Sequence, residues 1–352
     1  MAQKKYSGRS TVYNNIVSTD KIKLVNPDNL ELEKDFLEYL SSIGRASSTI
    51  YQYSRNLRIF WIWNLDFNNN KFFVDLKKRE FSKFQAYAIN EWGWSPKRVR
   101  TVKATISSLS NFIENILDDE FEGYKPIVRK IESPANTAVR TKTVFSYDEL
   151  QKLLDQLVEE GEYMKACALA LTMNNGRRKA EIPRFKVSYF DKKNLICEGA
   201  LYKTPEKMVT KGRGITGKLL DVYTLAKPFQ PYLDMWLAER KRLRINSEWL
   251  FPAKTISGKW VDSPISIGTL NRWARLFSEK MKRPFYWHSL RHYFTTKLAE
   301  SNLPESVIQD IVGWESTEMV RIYTDTEKEK TFDKYFGAEG IKDVQMASLT
   351  EL

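Results

Sequence analysis

Both histidines of this chain fall in one short string, His288-Ser289-Leu290-Arg291-His292. Downstream, Tyr323 sits inside Arg321-Ile322-Tyr323-Thr324-Asp325, and Gly313-Trp314 stands between the two strings. Far upstream lies Gly176-Arg177-Arg178-Lys179-Ala180-Glu181-Ile182. Arginine forks match phosphate oxygens bidentately and keep their charge. Histidine moves protons near neutral pH. A tyrosine hydroxyl can form a covalent intermediate that divides one hard step into two. Together these side chains supply what attack of a tyrosine on a phosphodiester requires: charge neutralisation, proton transfer and a nucleophile.

In order and interval these strings resemble the tyrosine recombinase (phage integrase) family. Its motifs run Gly-x-Arg-x-x-Glu, a lysine on a β-hairpin, His-x-x-Arg, Gly-His or Gly-Trp, and the nucleophilic tyrosine. Carried over by position, they land on Gly176, Arg178 and Glu181, on a lysine near Lys211, on His288 and Arg291, on Gly313-Trp314, and on Tyr323. The resemblance covers residues 145–335 and runs back, more weakly, to residue 28.

The resemblance implies a role for each residue. Arg178 and Arg291 clamp the nonbridging oxygens in the transition state. Arg177 competes for the first of these places, and the step to Glu181 favours Arg178. Glu181 orients the site through hydrogen bonds. Tyr323 attacks phosphorus to give a 3′-phosphotyrosine and release a 5′-hydroxyl, with nearby arginine charge favouring its phenolate. His288 acts as base or as donor to a phosphate oxygen. Trp314 stands where histidine is more frequent; its indole N–H can donate, but it cannot shuttle a proton. Lys211 protonates the leaving 5′-oxygen, with Lys203, Lys207 and Lys218 as alternatives. His288 and His292 are spaced for one helix face, but the chain has no third histidine and no His-Glu-x-x-His string, so no metal site is expected. The chemistry calls for neither metal, ATP nor any other cofactor.

The bulk properties agree with a nucleic-acid partner. A chain of 352 residues has a length prior of two or three domains, and 42% hydrophobic and 13% aromatic content is enough to build cores. The formal net charge of +12 points to a polyanion. The two cysteines, Cys167 and Cys197, have neither disulfide nor metal spacing, and Cys167 lies in an apolar run, so a reducing compartment is expected. Met1-Ala2-Gln3-Lys4-Lys5-Tyr6 lacks the apolar stretch of a signal peptide, and no window approaches the ~18 apolar residues of a membrane span. A cytoplasmic, nucleoid-associated protein with no membrane partner is the expectation.

Four segments follow from the pattern along the chain. Residues 1–27 are basic and show no hydrophobic period, which predicts a mobile arm. Residues 28–124 predict four helices: a Leu32/Phe36/Leu40 stripe ended at Gly44, an Ile50/Tyr53/Leu57/Trp61 stripe, a helix over 80–92, and one opened by Ser95-Pro96. The start of the fourth helix carries Lys97, Arg98, Arg100 and Lys103, candidate phosphate ligands. Residues 125–143 predict a linker punctuated by Pro126 and Pro134, with Arg140 among its basic residues. Residues 144–352 open with the capping box Ser146-Tyr147-Asp148-Glu149, continue through a helix over 163–172 and strand-like runs over 194–225, and read as helical from Pro228 onward.

The expected fold is therefore mainly α with a small β-sheet. The resemblance makes the first unit a SAM-like core-binding domain and the second an α+β catalytic domain with a C-terminal tail. The implied function is site-specific recombination for a phage or mobile element, integration or excision. Double-stranded DNA is the implied partner, with self-association as a tetramer on DNA and accessory DNA-bending or directionality proteins. A chromosome-dimer resolvase or DNA invertase would share the chemistry. A type IB topoisomerase and a catalytically silent DNA-binding regulator are further alternatives, disfavoured by the helical module and by the complete residue set.

Overall fold

The computed structural model describes residues 10–135, 145–210, 217–301, 303–318, 336–337 and 340–341. Two compact units divide the chain, one made by residues up to 141 and the other by most of the chain from 142 onward.

The first unit is helical: α1 (Ser10–Ile16), α2 (Thr19–Lys23), α3 (Pro27–Ser42), α4 (Ser47–Phe67), α5 (Lys78–Asn90) and α6 (Pro96–Ile116). Local sequence sets its boundaries. Asn26 Oδ1 accepts from Asp28 N at 2.9 Å, with Pro27 at the first helical position of α3. Gly44 turns the chain after α3 at φ +70°. Ser95 caps α6 by accepting from Arg98 N at 3.3 Å. Phe36, Phe60, Trp61, Phe73, Phe81, Phe84, Val102 and Ile106 form the buried centre.

Two expectations are corrected in this unit. Residues 10–25 are not an irregular arm: α1 and α2 lie there, Ser18 Oγ caps α2, and Val17 and Val25 are buried in the core. Each helix is too short to display a hydrophobic period, yet each finds apolar surface to cover. The core also reaches past residue 124, because Ile127 and Val128 are buried in it.

The second unit contains α7 (Tyr147–Glu159), α8 (Tyr163–Met173), β1 (Leu195–Ile196), β2 (Leu201–Lys203), β3 (Met208–Thr210), β4 (Lys218–Leu220), β5 (Tyr223–Leu225), α9 (Ala226–Arg242), β6 (Pro252–Lys254), β7 (Trp260–Pro264), α10 (Ile267–Lys280), α11 (Trp287–Glu300) and α12 (Glu305–Val312). Two short strands, β8 (Phe336–Gly337) and β9 (Gly340–Ile341), follow. Strands β1, β2 and β5 form one antiparallel sheet, and β3–β4 and β6–β7 form separate antiparallel pairs. The capping box is present: Glu149 N donates to Ser146 Oγ at 3.2 Å and Ser146 N to Glu149 Oε2 at 2.9 Å. Helix α8 is buried without interruption from Ala166 to Met173, so it forms the unit's central rod. The expectation of helix from Pro228 onward missed the β6–β7 hairpin. Its signal was Ser257-Gly258, where Gly258 takes φ +82° and Thr255 N donates to Lys259 O at 2.8 Å.

The mainly helical class with small sheets is borne out. Among the described residues, no helix is long and apolar enough to cross a membrane.

Candidate active site

Three backbone corners of the second unit converge. The first follows α8. Gly176 sits at φ +59°, and a Cβ placed on it would lie 2.6 Å from Phe294 Cδ1. Both facts demand glycine, because a left-handed L-residue is strained and the ring of α11 leaves no room. The turn then presents Arg178, whose side chain is 29% exposed, beside the buried carboxylate of Glu181. Arg178 N donates to Glu181 Oε2 at 3.2 Å and Arg178 Nη1 to Glu181 Oε1 at 3.4 Å. Glu181 thus holds both the backbone and the head of Arg178, as a supporting residue would.

The second corner is the start of α11. Trp287 locks this helix down by donating its indole N–H to Leu270 O at 2.8 Å, from a site that is 2% exposed. His288 is exposed in the first turn, while Arg291 is fully buried one turn later. Arg291 Nη1 donates to Gly176 O at 3.0 Å, which ties the His-x-x-Arg string to the Gly-x-Arg-x-x-Glu string. The rings of His288 and His292 meet edge-on at 5.3 Å. Among the described residues no three His, Cys, Asp or Glu side chains gather as metal ligands would.

The third corner ends α12. Gly313 is its left-handed cap at φ +73°, and a Cβ there would lie 2.7 Å from Leu220 Cδ1 of β4 and 3.4 Å from Arg177 Nη1. Trp314 follows, 6% exposed, packed with Phe294, Leu298 and Val312, and its ring lies 5.0 Å from Arg291 Cζ. Arg291 Nη2 donates to Val312 O at 3.1 Å. The β3–β4 hairpin borders this corner, with Lys218 Nζ 3.9 Å from Glu315.

The structure therefore brings together Arg178, Glu181, Arg291 and Trp314, with His288 one turn from Arg291 on the same helix. Lys211, Tyr323 and Arg140 lie outside the described residues. Of the alternative lysines, Lys203 pairs with Asp221 at 3.7 Å and Lys218 faces Glu315, while Lys207 is exposed before β3. Arg177 lies in a different setting from Arg178. It is 1% exposed, and its Nη2 donates to Ile311 O at 2.5 Å. Burial pulls its guanidinium down to about 10, against the raising influence of Glu181. Sequence reasoning weighed Arg177 only as a phosphate ligand; its backbone acceptors carry no sequence signal.

In the first unit, the basic start of α6 is engaged locally. Arg98 donates to Asn56 Oδ1 at 2.8 Å and stacks over Trp94 at 4.9 Å. Arg100 donates to Pro134 O at 3.0 Å, and Lys103 donates to Ile131 O and to Ser133 Oγ. Burial, then the neighbouring Arg100, lowers the Lys103 ammonium below its ordinary range. Only Lys97 of this group is exposed without such a bond among the described residues.

Comparison with known proteins follows the same division. The phage integrase family profile matches residues 143–330, and the phage integrase N-terminal SAM-like domain profile matches residues 32–122. The SPbeta prophage-derived recombinase-like protein YomM of Bacillus subtilis is 30% identical over 234 residues, covering 64% of this chain and 68% of that protein. The tyrosine recombinase XerA of Pyrococcus horikoshii is 24% identical over 313 residues, 87% of this chain and 91% of its own. Among solved structures, the XerH site-specific recombinase in a post-cleavage complex with a palindromic difH substrate aligns over 87% of this chain and 83% of its own, with a TM-score of 0.62 at 18% identity. At that identity the likeness speaks for the fold.

Proposed function

Because this chain belongs to the phage integrase family of tyrosine recombinases, we infer that it cuts and rejoins double-stranded DNA at a specific site through a 3′-phosphotyrosine intermediate. Tyr323 is the nucleophile of this reading. Arg178 and Arg291 neutralise charge on the nonbridging oxygens, with Glu181 holding Arg178. His288 manages a proton at the phosphate, Trp314 donates its indole N–H, and Lys211 protonates the leaving 5′-oxygen. The bond energy is kept in the phosphotyrosine, so religation is close to isoenergetic and needs no ATP.

One observation supports this reading above the others: Arg291 Nη1 bonds Gly176 O, so two arginine strings far apart in sequence close on one another. Arginines on unrelated surfaces would have no reason to do so. The net charge of +12 supplies the sequence-independent attraction to phosphate.

The biological role we assign is integration or excision of a phage or other mobile element, in keeping with the prophage-derived relative. Each active site cuts one strand, so exchange between two duplexes calls for a tetramer on DNA, with accessory DNA-bending or directionality proteins as further partners. Resolution of chromosome dimers is the second reading, favoured by the likeness to XerA across 87% of the chain.

A nicked duplex carrying the attachment site, sought in DNA flanking the gene, tests the chemistry by trapping a covalent protein–DNA adduct. Tyr323→Phe should retain DNA binding and form no adduct, because only the nucleophilic oxygen is removed. An adduct persisting in that variant would move the nucleophile elsewhere, with Tyr335 the next suspect.

A further inference from the structure

We propose that Arg177 is a positioning residue, a buried cation that fixes the C-terminal end of α12, and with it Gly313 and Trp314, against the turn bearing Arg178. The inference rests on the reading that Trp314 and Arg291 serve phosphodiester chemistry.

A guanidinium that is 1% exposed is expensive to desolvate, and an apolar side chain of similar volume would fill the same space without that cost. No carboxylate forms an ion pair with Arg177 among the described residues. Its acceptors are backbone carbonyls: Asn175 O lies 3.4 Å from Nε, and Ile311 O lies 2.5 Å from Nη2. Its own backbone N–H is turned onto Asn175 Oδ1 at 3.0 Å, which shapes the corner from which the side chain departs. Ile311 O belongs to the last turn of α12, where carbonyls lack helical partners and the negative end of the helix dipole gathers. A cation is the side chain suited to that place.

The next carbonyl is held as well. Val312 O accepts from Arg291 Nη2 at 3.1 Å, and Gly176 O accepts from Arg291 Nη1 at 3.0 Å. Adjacent carbonyls of one helix end are thus gripped by arginines from two different strings. Arg177 also packs onto the cap, since a Cβ on Gly313 would stand 3.4 Å from its Nη1. Trp314 leaves that cap and lies 5.0 Å from Arg291 Cζ. Releasing one of the two grips lets the cap and Trp314 shift relative to Arg178 and Arg291. Misplacement of about 1 Å is enough to cost on the order of 100-fold in rate.

The test uses the full chain labelled with 5-fluorotryptophan, the fluorine line of Trp314 being assigned with Trp314→Phe. Arg177→Met and Arg177→Lys are compared with the parent for that line, for affinity to the nicked site duplex, and for single-turnover cleavage. Arg177→Met should move the Trp314 line, keep affinity within about twofold and slow cleavage by roughly 10- to 100-fold. Arg177→Lys should restore part of both the line position and the rate, because an ammonium can still reach Ile311 O. An unmoved Trp314 line overturns the proposal. So does a moved line with normal cleavage, or a loss of affinity as large as the loss of rate. If Arg177→Met fails to fold, the line and rate of Arg177→Lys decide. If the parent itself forms no adduct, the recombinase reading fails, while the Trp314 line still judges whether Arg177 holds this corner.

Discussion

Replacing Gly176 with alanine adds one methyl group at a place where two separate costs meet. The first is conformational: an L-residue at φ +59° carries a penalty of about 1–2 kcal/mol for left-handed backbone. The second is steric. The new Cβ would stand 2.6 Å from Phe294 Cδ1 and 3.3 Å from both Phe294 Cβ and Cγ. Rotating the ring cannot relieve the clash with Cβ and Cγ, because α11 fixes them, and Phe294 is 1% exposed with no solvent to swing into. Relief must come from moving α11, an overpacking cost of about 1–3 kcal/mol. The sum is about 2–5 kcal/mol.

Gly161 is the internal control. It lies in the same unit at φ +72° with nothing within 4 Å of a built Cβ, so Gly161→Ala carries the conformational cost alone. In thermal unfolding followed by calorimetry on the full chain, Gly161→Ala should lower Tm by about 2–8 °C and Gly176→Ala by about 4–20 °C, at about 2–4 °C per kcal/mol. The displaced segment carries Arg291, so Gly176→Ala should also slow single-turnover cleavage, and Gly161→Ala should not. If the two variants lose the same stability, or Gly176→Ala is the milder, the close approach of α11 to this turn is refuted.

Other perturbations separate chemistry from affinity. Lys211→Ala should be slow on ordinary DNA and largely rescued by a 5′-phosphorothiolate, whose sulfur leaves without a proton; rescue of a Lys203 or Lys207 variant instead would reassign the general acid. Neutralising Lys97, Arg100 and Arg140 together should weaken binding to all sequences, with the salt slope falling by about 0.9 for each phosphate no longer neutralised, and leave cleavage at saturating protein near normal. An unchanged slope would place the DNA path on another surface. Burial raises the Cys167 thiol well above its ordinary range while Cys197 is exposed, so a thiol reagent should label Cys197 alone in the native protein and both after denaturation. Fast native labelling of Cys167 would show that α8 opens.

Elements with a local cause were legible in the sequence. Ser146 and Glu149 announced the start of α7, and Ser95-Pro96 that of α6, because a cap is a short-range hydrogen bond between named side chains and nearby backbone. The periodic stripes of α3, α4 and α6 were readable because each helix is long enough to repeat its buried face. Helices α1 and α2 repeat nothing within their few residues, so tertiary packing reveals them, and β6–β7 shows no in–out alternation, leaving the Ser257-Gly258 turn as its sequence signal. Gly176 and Gly313 were visible as motif letters, but the reason for each is an approach by Phe294 or Leu220 from a distant segment.

Charge was the least informative letter. Lys97, Arg98, Arg100, Lys103 and Arg140 read from the sequence as phosphate ligands, yet Arg98, Arg100 and Lys103 donate to Asn56, Pro134 and Ile131 within their own unit. Arg177 and Arg178 are neighbours of the same type, and they part completely: one is buried on Ile311 O, the other stands partly exposed beside Glu181. In the sequence only the step to Glu181 favours Arg178; the acceptor that holds Arg177 is a main-chain carbonyl, and every residue has one. What does separate them is the direction of the chain leaving Gly176. After its left-handed turn, Asn175 Oδ1 takes the Arg177 N–H at 3.0 Å and Glu181 Oε2 takes the Arg178 N–H at 3.2 Å. The two neighbours thus differ in the partners of their main-chain N–H groups as well as of their side chains.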